Sequence, residues 1–544
     1  MNSANLLQTA VAAPLVASVL LFLAKSAPLA VRKAIALVGF ALPCAIAIAL
    51  FCLFSGAKDA ATGYAFFSEC PWIGVESLGV GLKLGLNGIS LPLFVMAAVV
   101  GLAAGWRALA TKDAKKPTLY YATLLFIETG LLGLFASEDV FAFYIFHEFA
   151  LIPTFIAILV WGGCARKNAA ITMAVYLTLG AMISLAGLIA FYVNLDAGVP
   201  FDFIAIKNAL VSFDTGTQST LFALLLFGFG ILVSLFPFHS WAPDTYSAAP
   251  TPVSMLHAGV LKKFGLYGLI QLGAAFLPLG LADWSNWILA LALGNVLVIG
   301  LITMVQRDLK HMVSYSSVAH MGPIFLGIAA FAFSGGEVTG LGAAVMMMFA
   351  HGLSVALMFH LTQSVADRTG TLDMPSMGGL ASRAPVLAGF FVAATMASVG
   401  LPGFANFWGE LSIFVSLASL KPFWLVALVV ASIVISAIYG LRAVARVFYG
   451  KPNAETLPPE KFDAIRDITP AERVPALLLF AALVAVGFVP SLVTDELNPA
   501  LDKLVSEPCV ECAAAECTEC VVAEVSAEAA PAPAATEAVP APQQ

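Results

Sequence analysis

Apolar runs of about 20 residues, each closed by a few polar or charged positions, follow one another from the N-terminus to about residue 490. A helix needs roughly 20 apolar residues to cross a hydrocarbon core. Fourteen such runs are recognised, centred near residues 13, 42, 97, 127, 151, 182, 228, 264, 296, 321, 352, 396, 434 and 483. The short alternating segments of a transmembrane barrel are not seen. The pattern predicts an all-α polytopic membrane protein of about fourteen transmembrane helices. The first run, MNSANLLQTAVAAPLVASVLLFLA, has no basic leader and continues into the next, so it reads as a retained first helix.

Two runs are interrupted alike. Pro237 breaks the seventh within FGILVSLFPFHSWAPD, and Pro402 with Gly403 breaks the twelfth within ATMASVGLPGFANFWGE. Proline removes a backbone donor, which a bilayer tolerates only where protein or a water-filled cavity replaces it. Either proline alone is also compatible with a packing kink. Paired breaks five helices apart point to two inverted five-helix repeats with a site at the membrane midplane. The expected organisation is three helices and an outer loop (1–110), a first repeat (111–280), a second repeat (281–450), an inner loop with the last helix (451–506), and a disordered acidic tail rich in Ala and Pro (507–544).

Composition agrees: 60% of residues are hydrophobic and 11% charged, which excludes an ordinary soluble protein. If the loops alternate from an outer N-terminus, most of the 26 Lys and Arg fall on the inner side. By the positive-inside rule both termini are then outside. Much of the net charge of −7 sits in the tail, so it says little about partners.

Against this background the ionisable residues inside runs stand out. Glu128, Glu148 and Glu410 lie in apolar surroundings, and Lys262 and Lys263 sit side by side in the run that follows the first break. A lysine at the centre of a membrane helix costs about 3 kcal/mol on insertion scales. Static ion pairs between helices are one explanation. A series of Glu, Lys and His across one bundle favours the other, a proton relay. His239, His257, His320, His351 and His360 fall in the same runs, and imidazole can exchange protons near neutrality. His257 and His360 are read as hydrogen-bonded packing.

Cys44, Cys52 and Cys164 read as small packing residues, and Cys70 lies in an outer loop. In the tail, Cys509, Cys512, Cys517 and Cys520 have paired CxxC spacing, a metal pattern. Only four residues separate the pairs, and the expected compartment is oxidising, so disulfides compete as an explanation. Residues 1–506 hold no glycine-rich nucleotide loop, flavin fingerprint, or haem or iron–sulfur ligand set, so redox chemistry is expected in partner subunits.

The runs FHEFALIP, PFHSWAPDTYSAAPTPVSMLHAGVLKKFGLYG, QRDLKHMVSYSSVAHMG, AHGLS and GLPGFANFWGE together resemble the antiporter-like subunits of respiratory complex I, NADH:quinone oxidoreductase, most nearly the M type. The resemblance covers nearly all of residues 85–450. It implies a proton-translocating membrane-arm subunit without a cofactor of its own, in the bacterial cell membrane. NADH, FMN, iron–sulfur clusters and quinone would belong to partner subunits, with further membrane subunits on both sides. It implies Glu148 as the fifth-helix glutamate, Lys263 as the central lysine, His320 and His351 as the link to the twelfth helix, Glu410 as the terminal glutamate, and Glu128 as the fourth-helix glutamate. His239 is the histidine of the broken-helix turn.

One departure stands out. The family's seventh-helix lysine, seven residues before that histidine, is Leu232 here. Two readings are open: Lys262 supplies the missing partner of Glu148, or Glu148 is protonated and Lys262 faces a polar cavity. Asn87 replaces an aspartate frequent in relatives. The alternatives to a complex I pump are a subunit of a sodium/proton antiporter complex and a non-pumping structural subunit of the same arm.

Overall fold

The computed structural model describes residues 3–59, 62–70, 81–111, 115–196, 198–209 and 213–505. The four tail cysteines lie outside the described residues.

Twelve helices among the described residues are long and apolar enough to cross a membrane. In chain order they are Asn5–Leu23, Leu29–Ala57, Ser90–Ala110, Pro117–Ala136, Val140–Trp161, Arg166–Val193, Thr215–Val233, Pro278–Val305, Leu309–Ser334, Thr339–Thr369, Phe423–Phe448 and Pro470–Phe488. The two other expected spans are the eighth and the twelfth, and neither is a continuous helix. The eighth runs from Thr251–Gly259 through a tight turn at Leu261–Lys263 into Phe264–Gly268. The twelfth is the pair Pro385–Ser398 and Ala405–Ala418. About fourteen helices are expected from the sequence, with the seventh and twelfth broken: the twelfth is broken as expected, the eighth is broken as well, and twelve helices among the described residues are long enough to span. The seventh span, Thr215–Val233, stops short at Ser234, and Trp241–Ala248 follows as a separate short helix.

The two expected breaks have one backbone design. At the first, the amides of Ser234, Leu235 and Phe238 donate to the carbonyls of Ile231, Gly230 and Leu235. At the second, Gly400, Leu401 and Phe404 donate to Ala397, Met396 and Leu401 in the same pattern. Ser234 and Gly400 both adopt left-handed conformations, with φ of 65° and 79°. That conformation suits glycine and is strained for serine.

A second correspondence lies at the span ends. Asp139 caps the fifth span by accepting from Ala142 N at 2.8 Å, and Asp308 caps the tenth by accepting from His311 N at 2.8 Å. Asp139 forms an isolated β-bridge with Asp202, and Asp308 one with Asp373. Five crossings separate the members of each pair. The repeats therefore present these features on opposite membrane faces.

The loop before the third span holds a two-stranded antiparallel sheet, Ala65–Cys70 with Leu82–Leu86, where the sequence suggested only polar loop. Asn87 then shows its use, its side-chain oxygen accepting from Ile89 N at 3.0 Å and Ser90 N at 2.8 Å. An amide oxygen serves this turn as a carboxylate would. After the last span the amphipathic helix Ser491–Val505 packs Val493, Leu497 and Leu501 inward.

The hairpin, the start of the fifth span and the short helix Phe203–Asn208 meet in an acidic knot. Lys83 pairs with Asp202, Gly81 N donates to Asp139, and Ile204 N donates to Glu138 at 2.8 Å. Burial, reinforced by the Asp202 carboxylate, pushes Glu138 up to about 8, and burial raises Asp139 to about 6. Both values lie above the unfolded carboxylate range. The folded chain therefore keeps protons that the unfolded chain has lost, and stability falls as pH climbs from about 5 to 8. Glu138→Gln retains the acceptor for Ile204 and removes the titration. We expect it to raise the melting temperature by several degrees at pH 8 and leave it nearly unchanged at pH 5, measured on the purified protein in detergent. An equal shift at both values would contradict this assignment.

Candidate proton relay

The interruption of the eighth span organises the site. Val260 leaves the helical conformation, and the chain resumes only at Phe264. A helix end exposes last-turn carbonyls, which need a partner inside a membrane. Lys263 supplies it, its Nζ donating to Ala258 O at 2.7 Å. The same Nζ lies 2.9 Å from His351 Nδ1 on the eleventh span. Lys262 turns elsewhere, to Ser317 O on the tenth span at 3.3 Å, with its Nζ 5.4 Å above the Tyr246 ring. Both lysines are buried.

The tenth span is interrupted for one residue at His320, and its last-turn carbonyls before that point are also taken by side chains. Ser316 O faces His320 Nδ1 at 2.7 Å, Ser317 O receives Lys262, and Val318 O accepts from the Asn295 amide at 2.9 Å. His320 Nε2 lies 3.0 Å from Ser398 O, at the end of the first half of the broken twelfth span. A protonated ring donates to both carbonyls and a neutral ring to one, so His320 can stay in place through a proton exchange.

From His351 the polar groups continue. Its ring centroid is 5.5 Å from that of His320. Both rings line a cavity of about 20 Å3 together with Ser316, Ser317, Ser354, Ser398, Ser436 and Tyr439. That is room for a water molecule. A second cavity of the same size shares His320, Ser436 and Tyr439 with the first and reaches Glu410. The Tyr439 hydroxyl bonds to Ser316 Oγ at 2.8 Å where the two cavities meet. Glu410 is buried, and its carboxylate packs against Gly400, where an added Cβ would lie 2.1 Å from Oε2.

The structure thus brings together Lys263, His351, His320 and Glu410, with Lys262 alongside. It does not bring the other candidates into this group. Glu148 is part-exposed, with the His147 Nδ1 3.3 Å from its Oε1. Lys262 and Glu148 form no ion pair among the described residues. Glu128 is fully buried against the third span, where a Cβ at Gly101 would meet its carboxylate at 2.0 Å, and both its oxygens lack a hydrogen-bond partner. His239 is part-exposed, with Nδ1 3.1 Å from Pro237 O. His257 is packed between Trp241 and Tyr246, and His360 Nε2 lies 2.8 Å from Glu472 O.

Three residues were missed in the sequence. His147 stacks on Phe264 at 4.0 Å between ring centres and links Glu148 to the residue after the lysines. Asn295 ties two interruptions together, the first break through Phe236 N and Ser234 O and the tenth span at His320 through Val318 O. Tyr439 joins the cavities. Each was a polar residue in an apolar run, the signal used for the lysines.

Among the described residues, no cluster of three or more His, Cys, Asp or Glu is placed to hold a metal.

The chain matches the family described as "NADH:quinone oxidoreductase/Mrp antiporter, TM" over residues 137–436. It is 33% identical over 434 residues to NAD(P)H-quinone oxidoreductase chain 4 2 of Thermosynechococcus vestitus, spanning 78% of each chain. It is 31% identical over 440 residues to NAD(P)H-quinone oxidoreductase chain 4 of Gloeobacter violaceus, spanning 79% of this chain and 80% of that one. A chain in respiratory complex I from Thermus thermophilus with bound NADH superposes with a TM-score of 0.79 at 26% identity, over 92% of this chain and all (100%) of that one. A chain of the Mrp complex from Dietzia sp. shares the fold, with a TM-score of 0.78 at 20% identity over 92% and 97% of the two chains. This chain therefore belongs to the NADH:quinone oxidoreductase/Mrp antiporter transmembrane family, as an antiporter-like membrane subunit of the complex I type.

Proposed function

We propose that the chain moves protons through the membrane arm of its complex along Lys263, His351, His320 and Glu410, driven by electron transfer from NADH to quinone in partner subunits. Those partners would carry the FMN and iron–sulfur clusters. The carrying observation is the bond from Lys263 Nζ to His351 Nδ1 at 2.9 Å, followed by two cavities that share His320, Ser436 and Tyr439 and end on Glu410. A proton leaving Lys263 has an imidazole acceptor in direct contact. The neutral amine left behind still has N–H groups for Ala258 O, so the helix end remains capped. Water in the cavities spans the gaps between His351, His320 and Glu410, and Tyr439 with Ser316 offers hydroxyls beside that path. Glu148, paired with His147, modulates the lysines electrostatically from the fifth span. In the cell membrane the basic loops face inward and both termini outward.

The assembled complex in proteoliposomes tests this reading. Lys263→Met and Glu410→Gln are each expected to lower the protons moved per electron by this subunit's whole contribution, with the amount of assembled complex unchanged in Glu410→Gln and reduced in Lys263→Met, which also bares Ala258 O. Wild-type stoichiometry in both variants would overturn the relay.

Two further variants probe the join with Glu410. Tyr439→Phe removes the hydroxyl at the shared wall of the cavities and is expected to slow proton transfer about tenfold, less than the roughly hundredfold or more of a positioned acid or base, because the hydroxyl stands beside the path. Gly400→Ala adds a Cβ where the Glu410 carboxylate now sits, in a backbone conformation that costs an alanine about 1 kcal/mol or more. It should impair translocation as Glu410→Gln does, and normal translocation would show that the carboxylate's position is immaterial. Proton release after a brief electron pulse measures both.

A further inference from the structure

The tenth span carries a second line of polar groups, Lys310 and Ser314, that leads to Ser317 in the wall of the relay cavity. Lys310, Ser314 and Ser317 are spaced four and three residues apart, so they share one helix face. All three are buried. Lys310 Nζ donates to Ala249 O at 2.6 Å, in the turn joining the broken seventh span to the eighth. The Ser314 hydroxyl donates to Lys310 O at 2.7 Å. The Ser317 hydroxyl is buried without a hydrogen-bond partner, and the Ser317 carbonyl receives Lys262. A basic residue at a helix start commonly extends its side chain to the membrane surface. Lys310 does the reverse, with 7% of its surface exposed and its ammonium turned into the protein.

At the outer end of this line, next in sequence to Lys310, lies a titratable cluster. His311 has Nδ1 2.9 Å from Ser247 Oγ and 3.6 Å from Asp308 Oδ1, and Nε2 3.4 Å from Asp244 Oδ1. The Asp244 side chain is 64% exposed and that of His311 35%. This face also carries Arg307 and Arg446, the side assigned as inner by the positive-inside rule. These groups therefore lie along one helix between an open acidic mouth beside the broken seventh span and the carbonyl that receives Lys262.

We propose that Asp244, His311, Lys310, Ser314 and Ser317 form the proton-uptake route from the basic face, and that the adjacent lysines divide the work, Lys262 receiving from this route and Lys263 delivering to His351. The proposal rests on the relay argued above and assigns its upstream side. In each step one N–H or O–H bond forms as another breaks. Hydronium at the mouth gives its proton to the His311 imidazole and becomes water. Lys310 passes a proton on and regains one. Each serine hydroxyl takes one proton and releases its own, and the unprotonated Lys262 amine accepts the last. No electron moves. The tight turn at Leu261–Lys263 is what lets neighbouring side chains reach different spans, Lys262 the tenth and Lys263 the eleventh.

Lys310→Arg is the discriminating variant. Arginine keeps the charge and a donor for Ala249 O but does not give up its proton in a protein. In the assembled complex in proteoliposomes, Lys310→Arg and Lys310→Met are both expected to lower proton translocation about tenfold. Wild-type translocation in Lys310→Arg would overturn the proposal, whether or not Lys310→Met is impaired, because it would make Lys310 a structural tie. If neither variant assembles, Ser314→Ala decides, since Ser314 lies outside the relay cavities and its loss leaves both Lys310 and the Ser317 carbonyl that holds Lys262. A severalfold loss supports the route, and an unchanged rate overturns it. Lys263→Met, run beside them, separates the two layers. Impairment there with normal Lys310→Arg removes only the uptake route, whereas normal Lys263→Met removes the relay beneath it.

Discussion

Inside a bilayer a backbone carbonyl without a partner costs several kcal/mol, and every interrupted helix exposes carbonyls. The rest of this structure depends on how those carbonyls are answered. Ala258 O takes Lys263, Ser317 O takes Lys262, Ser398 O faces His320, Val318 O takes Asn295, and Ile231 O takes the Trp241 indole. Three of these five side chains are titratable. The groups read as moving protons are therefore the groups that permit the helices to be broken. Lysine and histidine suit both duties, because an amine or imidazole that gives up a proton still has an N–H to donate. A carboxylate has none, and Glu410 accordingly stands at the end of the line and caps no carbonyl.

The visible part of this design in the sequence was the part written in proline and charge. Pro237 and Pro402 marked two breaks, and the rarity of charge elsewhere in the spans marked the lysines and glutamates. The break at Val260–Lys263 had no such mark. No proline or glycine pair stands there, and the interruption is stabilised by the Lys263 side chain reaching back to Ala258, a bond that periodicity does not encode. The interruption at His320 is similar, held by Lys262 and Asn295 from other spans. Residue type also failed to show which ionisable groups share a site. Glu128 and His239 are of the same kinds as Glu410 and His320, yet one is packed alone against the third span and the other sits part-exposed at the first break. Connection is a property of the packed bundle.

The two repeats share a backbone and differ in what they hang on it. With Ser234 laid on Gly400, the hydrogen bonds of the two breaks coincide, and Leu232 falls opposite Ser398. At the second break that position presents its carbonyl to His320 beside a polar cavity. At the first it is a buried leucine. The resemblance led to the expectation of a lysine there, and its loss leaves the fifth-span glutamate with a histidine neighbour instead.

That asymmetry bears on where charge can be stored. A glutamate facing a buried lysine forms a pair whose separation is costly, because each partner left alone in a low-dielectric interior loses its compensation. Glu148 is part-exposed and faces the His147 imidazole in place of a buried lysine, so parting the two leaves no lysine ammonium unpaired. The fixed excess of basic groups has moved to the centre instead, where Lys262 and Lys263 stand side by side and His351 and His320 follow. Like charges at such separation repel, and a second proton arriving on one lysine lowers the cost of releasing the proton from the other. In the proposed relay, adjacent lysines with contacts to different spans would favour onward transfer by their mutual repulsion, and the first repeat would need only to bias it.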